Sequence, residues 1–240
     1  IEGNLVSKPY LDATIATMRN FGVTVQTLIP YKKYNIIPQV YKPSTFTVPI
    51  DFSSLALLLS ASVLNGENVT IHGKMGNLPQ GDEVIIDILE QLGVKVSIKD
   101  DQITIQSPEK LGGGRFDLSN SPDLLPPLAI LALKTTNPIE IINVKHARLK
   151  ETDRISILAR ELVKIGIRVQ EKEDGLILES PKESKGATLN SENDHRLFMA
   201  FCIAGMYVGN CIVTDHESVA VSYPDFINEM NKLGAKILVQ

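Results

Sequence analysis

A five-residue phrase returns four times along the chain, and it narrows the possible folds more than any other feature. It reads Phe21-Gly22-Val23-Thr24-Val25, Leu92-Gly93-Val94-Lys95-Val96, Ile165-Gly166-Ile167-Arg168-Val169 and Leu233-Gly234-Ala235-Lys236-Ile237, with glycines 71, 73 and 68 residues apart. Each glycine closes a run such as Val84–Leu92, whose apolar positions suit a helix with one buried face. Each is followed by an alternating stretch that predicts a strand. Gly just past a helix end supplies the left-handed backbone that stops the helix. The phrase therefore marks a repeated supersecondary unit.

Between the phrases, Ser53–Val63, Asp123–Leu133 and His195–Val208 are apolar nearly all round, which predicts helices buried within the domain. Short strands are predicted after them at Asn68–His72, Pro138–Val144 and Cys211–Thr214. The unit is then βαβαββ. Three units fill 47–240, most of a second domain, and 1–46 is the carboxyl-terminal end of a first. The segment Tyr31–Ser44 holds Pro38 and Pro43 without a clear period and is predicted as a connection or hinge.

Polar residues gather where these helices begin: Asp51-Phe52-Ser53-Ser54, Ser119-Asn120-Ser121-Pro122-Asp123, Asn193-Asp194-His195-Arg196, Ser7-Lys8-Pro9-Tyr10, Gln80-Gly81-Asp82 and Lys150-Glu151-Thr152-Asp153-Arg154. N-capping accounts for Asp51, Ser53, Ser54 and Asp82, because short polar side chains satisfy the free amides of a first turn. Helix starts facing one end of a repeat domain would also bind phosphates and carboxylates. Lys150 and Arg154 place two cations at i and i+4 of a helix start, where the dipole disfavours positive charge. An anion between them is the sharper reading; a solvated face pairing with Glu151 and Asp153 is the plainer one. His195-Arg196 repeats the situation, which makes Asp123 and Glu151 candidate proton carriers.

Composition excludes several classes. A net charge of −4 argues against a nucleic-acid partner, whose footprint would be a basic surface. Two cysteines, Cys202 and Cys211, are too few for a disulfide framework, and no zinc-like spacing accompanies them. The longest apolar stretches, such as Leu124–Leu133, are interrupted by Pro126 and Pro127 and fall short of a bilayer span. The cytoplasm is the expected compartment. The chain opens on Ile1 rather than Met, which reads as a start inside a longer gene product.

The stretches Leu5–Asp12, Gln80-Gly81-Asp82, Ser121-Pro122-Asp123, Leu149–Arg154, Asn193–Arg196 and Tyr223-Pro224-Asp225-Phe226 occur in an order and spacing that resembles the 5-enolpyruvylshikimate-3-phosphate synthase family across all 240 residues. The resemblance implies an α/β fold, an inside-out barrel with helices inside and sheets outside, in two domains that close over their ligands. It implies transfer of the enolpyruvyl group of phosphoenolpyruvate to the 5-hydroxyl of shikimate 3-phosphate, releasing phosphate in aromatic amino-acid biosynthesis. On this likeness Ser7, Tyr10 and His146 contact shikimate 3-phosphate, and Asp123 takes a proton from its 5-hydroxyl. Lys150 contacts the same ligand and shares in proton transfer, Glu151 protonates the phosphoenolpyruvate methylene carbon, and Arg154 and Arg196 hold its carboxylate and phosphate. No metal or organic cofactor is implied. The implied partner is the absent amino-terminal segment, the complete protein being a monomer with neither nucleic acid nor membrane.

Two departures accompany the likeness. Val221 stands where the family usually has Lys, and His146 where some members carry Asn. The 240 residues by themselves are expected to be inactive. The competing expectations are a UDP-N-acetylglucosamine enolpyruvyl transferase, which shares the fold, and a non-catalytic anion-binding relative, which Val221 favours.

Overall fold

The computed structural model describes residues 1–239. The repeat phrase sets four helix ends in one geometry. Helices α1 (Lys8–Asn20), α3 (Ile85–Gln91), α5 (Arg154–Lys164) and α7 (Phe226–Lys232) each stop at the expected glycine. Gly22, Gly93, Gly166 and Gly234 have φ of +80°, +95°, +100° and +103°. The amide after each glycine reaches five residues back to a last-turn carbonyl: Val23 to Met18, Val94 to Leu89, Ile167 to Leu162 and Ala235 to Met230. This is the Schellman arrangement, which satisfies carbonyls that a helix end leaves free.

The greasy segments form the interior. Helices α2 (Phe52–Asn65), α4 (Leu125–Leu131) and α6 (His195–Val208) pack on one another. Their Leu57, Leu59, Leu128, Ile130, Phe201 and Ile203 are fully excluded from solvent, and each such side chain stabilises the fold by roughly 2 kcal/mol through burial. Pro126 and Pro127 sit in the first turn of α4, where the missing amide hydrogens cost no helical bond. Short 3-10 turns extend this helix at both ends, Pro122–Leu124 and Ala132–Lys134.

Sheets clothe the outside. Strands β6 (Gly114–Asp117), β7 (Ile139–Ile142), β8 (Arg168–Lys172) and β9 (Gly175–Glu179) form one four-stranded sheet in the order β6-β7-β9-β8. Its β6–β7 pair is parallel and the others antiparallel. With α4 and α5 this is one whole βαβαββ unit. In the unit before it, β3 (Val69–His72), β4 (Lys95–Lys99) and β5 (Gln102–Gln106) repeat the pattern as β3-β5-β4. A strand corresponding to β6 is missing there: Pro49 has no amide hydrogen to donate, and the Gln80 side chain binds both the Ile50 carbonyl and the Phe52 amide. In the unit after it, β10 (Thr188–Leu189) and β11 (Ile212–Val213) form a parallel pair.

Two expectations are corrected. Ala235–Ile237 forms no strand, since the Asn231 side chain takes both the amide and the carbonyl of Ile237. The supposed connection 31–44 contains a strand, β2 (Lys33–Asn35), which pairs with β1 (Gln26–Ile29); Tyr31, at φ +58°, makes the turn between them.

The apolar interior falls into two clusters. One is large and built around α2, α4 and α6; the other consists of Ile15, Val23 and Val25, with Leu11, Met18 and Tyr34 against them. Among the described residues no helix is long and apolar enough to cross a membrane.

Candidate active site

Helix starts from several units meet at one carboxylate. Asp123 lies in the 3-10 turn that leads into α4 and is 8% exposed. Arg154 Nη1 donates to its Oδ1 at 2.7 Å, and Lys150 Nζ stands 3.4 Å from the same oxygen. Arg196 Nη2 lies 3.4 Å from Oδ2, and the Tyr10 hydroxyl 3.3 Å from it. Burial alone would raise the Asp123 pKa, but Arg196, Arg154 and Lys150 together hold it below the usual carboxylate range. The carboxylate is therefore ionised and turned toward a cationic wall.

Arg154 ties the wall together. It is the first residue of α5 and only 1% exposed. Its Nε donates to Asp194 Oδ2 at 2.7 Å, and its Nη2 donates to Glu151 Oε2 at 2.6 Å and to Asp194 Oδ1 at 3.3 Å. Asp194 does double service, because it also caps α6 by accepting the amides of Arg196 and Leu197. A buried guanidinium whose three nitrogens all donate to carboxylates is among the stronger charge-assisted arrangements. Thr152 completes it by donating to Asp194 at 3.1 Å.

The helical spacing expected for Lys150 and Arg154 is corrected. Asp153 accepts the Ser156 amide and starts α5 at Arg154, so Lys150 lies outside the helix in extended backbone. The two cations converge because Asp123 reaches both, not because one helix face carries them. Lys150 also stands 6.0 Å over the Tyr10 ring, within reach of a cation–π attraction.

The capping expectation divides. Asp51 caps α2 by accepting the amides of Ser53 and Ser54. Ser53 and Asp82 do not cap: the Ser53 hydroxyl donates to Asp82 Oδ2, and so does the Tyr10 hydroxyl at 3.4 Å. Asp82 is 3% exposed, and its Oδ1 is buried without a hydrogen-bond partner among the described residues. Burial above all, then the neighbouring Asp123, raises its pKa to about 6 against the pull of Ser53 and Arg196. Tyr10 is pushed up as well, by burial and by both carboxylates.

Ser7 and His146 occupy the margin. Ser7 adopts φ +55° at the start of α1, and its amide donates to the Ser119 carbonyl at 3.0 Å. The Lys8 amide beside it is capped from afar by Asn120 Oδ1 at 3.1 Å. His146 lies in the 3-10 turn Lys145–Leu149 with Nε2 buried and without a hydrogen-bond partner among the described residues, and burial followed by the Lys150 charge lowers its pKa. Val221 is 74% exposed.

Glu151 is half-open, its side chain 46% exposed, and Lys150 is 31% exposed. Chemically, the site offers an ionised buried carboxylate, a more accessible carboxylate across Arg154, and three cations. That set suits proton transfer beside bound anions.

Residues 1–230 match the family model for EPSP synthase (3-phosphoshikimate 1-carboxyvinyltransferase). A 3-phosphoshikimate 1-carboxyvinyltransferase of Nitrosopumilus maritimus is 78% identical over 237 residues, 99% of this chain and 56% of that protein. One from Methanocaldococcus jannaschii is 40% identical over 98% of this chain and 55% of that protein. The EPSP synthase structure from Acinetobacter baumannii superposes with a TM-score of 0.79 at 26% identity, covering 93% of this chain and 54% of that one. The enolpyruvyl transferase NikO from Streptomyces tendae shares the fold at a TM-score of 0.75 and 22% identity, covering 97% of this chain and 54% of that one. The chain spans about half the length of the curated relatives it matches. From the repeat, the convergence on Asp123 and these likenesses, the chain belongs to the EPSP synthase family.

Proposed function

We propose that the complete protein joins phosphoenolpyruvate to shikimate 3-phosphate. The observation that carries this reading is the meeting of Lys150, Arg154, Arg196 and Tyr10 on Asp123. The 5-hydroxyl oxygen of shikimate 3-phosphate attacks C2 of phosphoenolpyruvate while Asp123 accepts the hydroxyl proton and Glu151 delivers a proton to C3. Loss of a C3 proton and of phosphate from the resulting tetrahedral adduct restores the double bond. An acid and a base held on the two terminal nitrogens of one guanidinium suit this addition and elimination.

Arg154 and Arg196 bind the phosphoenolpyruvate carboxylate and phosphate, since a guanidinium fork matches both. The anion takes the place of Glu151 at Arg154 Nη2, freeing that carboxyl for carbon. Lys150 lies against the shikimate ligand with Ser7, Tyr10 and His146. Residues 1–46 form the end of a first domain and 47–240 most of a second; the separate small cluster of Ile15, Val23 and Val25 supports that division. The remaining cleft residues come from a segment outside this chain. The complete protein works as a cytoplasmic monomer.

The test is turnover of the two substrates by the full-length protein, with Arg154→Ala alongside. The variant is expected to lose activity by a factor of about 100 or more, as removal of a fixed transition-state charge does. Activity equal to wild type would remove Arg154 from the reaction. Binding of shikimate 3-phosphate without turnover in the wild type would favour the non-catalytic reading that Val221 suggests.

A further inference from the structure

Tyr10 has one hydroxyl hydrogen and two carboxylates to give it to. Its oxygen lies 3.3 Å from Asp123 Oδ2 and 3.4 Å from Asp82 Oδ2, and a phenol donates once. When Tyr10 donates to Asp123, it occupies the oxygen that would accept a proton and stabilises the charged form, which weakens the base. When it donates to Asp82, that oxygen of Asp123 is released. Which happens depends on the state of Asp82. A protonated Asp82 donates its own hydrogen to the Tyr10 oxygen and sends the phenolic hydrogen to Asp123. An ionised Asp82 competes for that hydrogen.

We propose that Asp82 is a positioning residue for Asp123, acting through the Tyr10 hydroxyl that the two carboxyls share. The proposal rests on Asp123 being the base of the reaction proposed above. Three features of the site carry it. The turn Gly81–Val84 is pressed inward: any Cβ at Gly81 would collide with the Asn120 carbonyl, and Ser121 Oγ binds the Gly81 carbonyl at 2.7 Å. Ser53 fixes the orientation of the Asp82 carboxyl from α2. Its other oxygen is buried without a partner among the described residues, so the hydrogen bonds to this carboxyl all arrive at the oxygen that faces Ser53 and Tyr10. The charged and titratable groups facing Asp82 are Tyr10 from α1, Asp51 at the cap of α2, Asp123 before α4 and Arg196 from α6. Its titration near pH 6 places the change between the two hydrogen-bond directions just below neutrality.

The experiment measures kcat against pH, from about 5 to 9, for the full-length protein as wild type, Asp82→Asn, Tyr10→Phe and the double variant. Wild-type kcat is expected to rise through an ionisation near pH 6. Asp82→Asn should lose that limb, with kcat about tenfold lower at pH 8, the effect of one unit less basicity at Asp123. Tyr10→Phe should also lose the limb, and adding Asp82→Asn to it should cost less than about threefold. A limb that persists in Asp82→Asn, or an equal loss in both backgrounds, overturns the proposal. Should Asp82→Asn not fold, Tyr10→Phe decides by itself, and a retained limb overturns it. If the wild type has no turnover, the reaction assignment fails separately, and carboxyl-carbon NMR titration of Asp123 takes over. A shift on Asp82→Asn that vanishes in the Tyr10→Phe background supports the coupling; no shift overturns it.

Discussion

Single residues at the site trade stability for chemistry. Asp82 shows this most directly, because its carboxyl is raised to about 6 mainly by burial. A raised acid favours the fold fully below its unfolded value and loses that contribution as pH climbs through the folded value. Asp82→Asn should therefore be more stable than wild type at pH 8, by about 3 kcal/mol, and gain little near pH 4; urea unfolding at the two pH values checks this, and equal stability at pH 8 would contradict it. Asp123 has the opposite sign: its depressed pKa contributes stability above the ordinary carboxylate range that disappears as pH falls through the lowered value. Arg154→Ala leaves Asp123 and Asp194 without their principal buried partner and should cost about 3–5 kcal/mol, read from the urea midpoint. The residues that meet at Asp123 were legible as polar helix starts and from the family resemblance. Their pairing was not, because an Asp that caps a helix, like Asp51, and one that receives a hydroxyl from another unit, like Asp82, occupy the same kind of position in the chain.

At the scale of elements, the helix stops were the most legible part of the fold. A glycine in a fixed phrase has one backbone reason to recur, and all four have positive φ. Alanine substitutions should separate the conformational cost from the steric one. At Gly93 a Cβ would meet nothing within 4 Å, so Gly93→Ala should cost only the left-handed strain, about 1 kcal/mol. At Gly166 a Cβ would come within 2.6 Å of the Glu183 carbonyl, so Gly166→Ala should cost at least about 2 kcal/mol. Thermal unfolding of both variants measures the difference, and equal losses would mean that the segment around Glu183 yields freely. Strands were less legible. Alternation of Ala235–Ile237 matches that of Lys95–Lys99, but a strand exists only where a neighbour supplies the ladder, and Asn231 supplies the bonds instead. In the same way Lys33–Asn35 pairs although its own sequence has no period.

For the whole molecule, the repeat explains why one large interior can form from three units while residues 1–46 keep a small one of their own. Hydrogen exchange should reflect this: amides of α2, α4 and α6 exchange slowest, and those of α1 at least about 100-fold faster. Equal protection of α1 and α6 would mean that the small cluster is part of the same cooperative unit. What fastens α1 is the same set of bonds that builds the site, Ser7 to Ser119, Lys8 to Asn120 and Tyr10 to the two carboxyls. Each cation around Asp123 already has an internal counterion, so an arriving anion exchanges with a carboxylate instead of settling on bare positive charge. Chloride and other poorly matched ions gain little from that exchange, and added salt should weaken capture of a true ligand only modestly. Anion binding at this site is then a difference between two pairings, not the gain from a single new one.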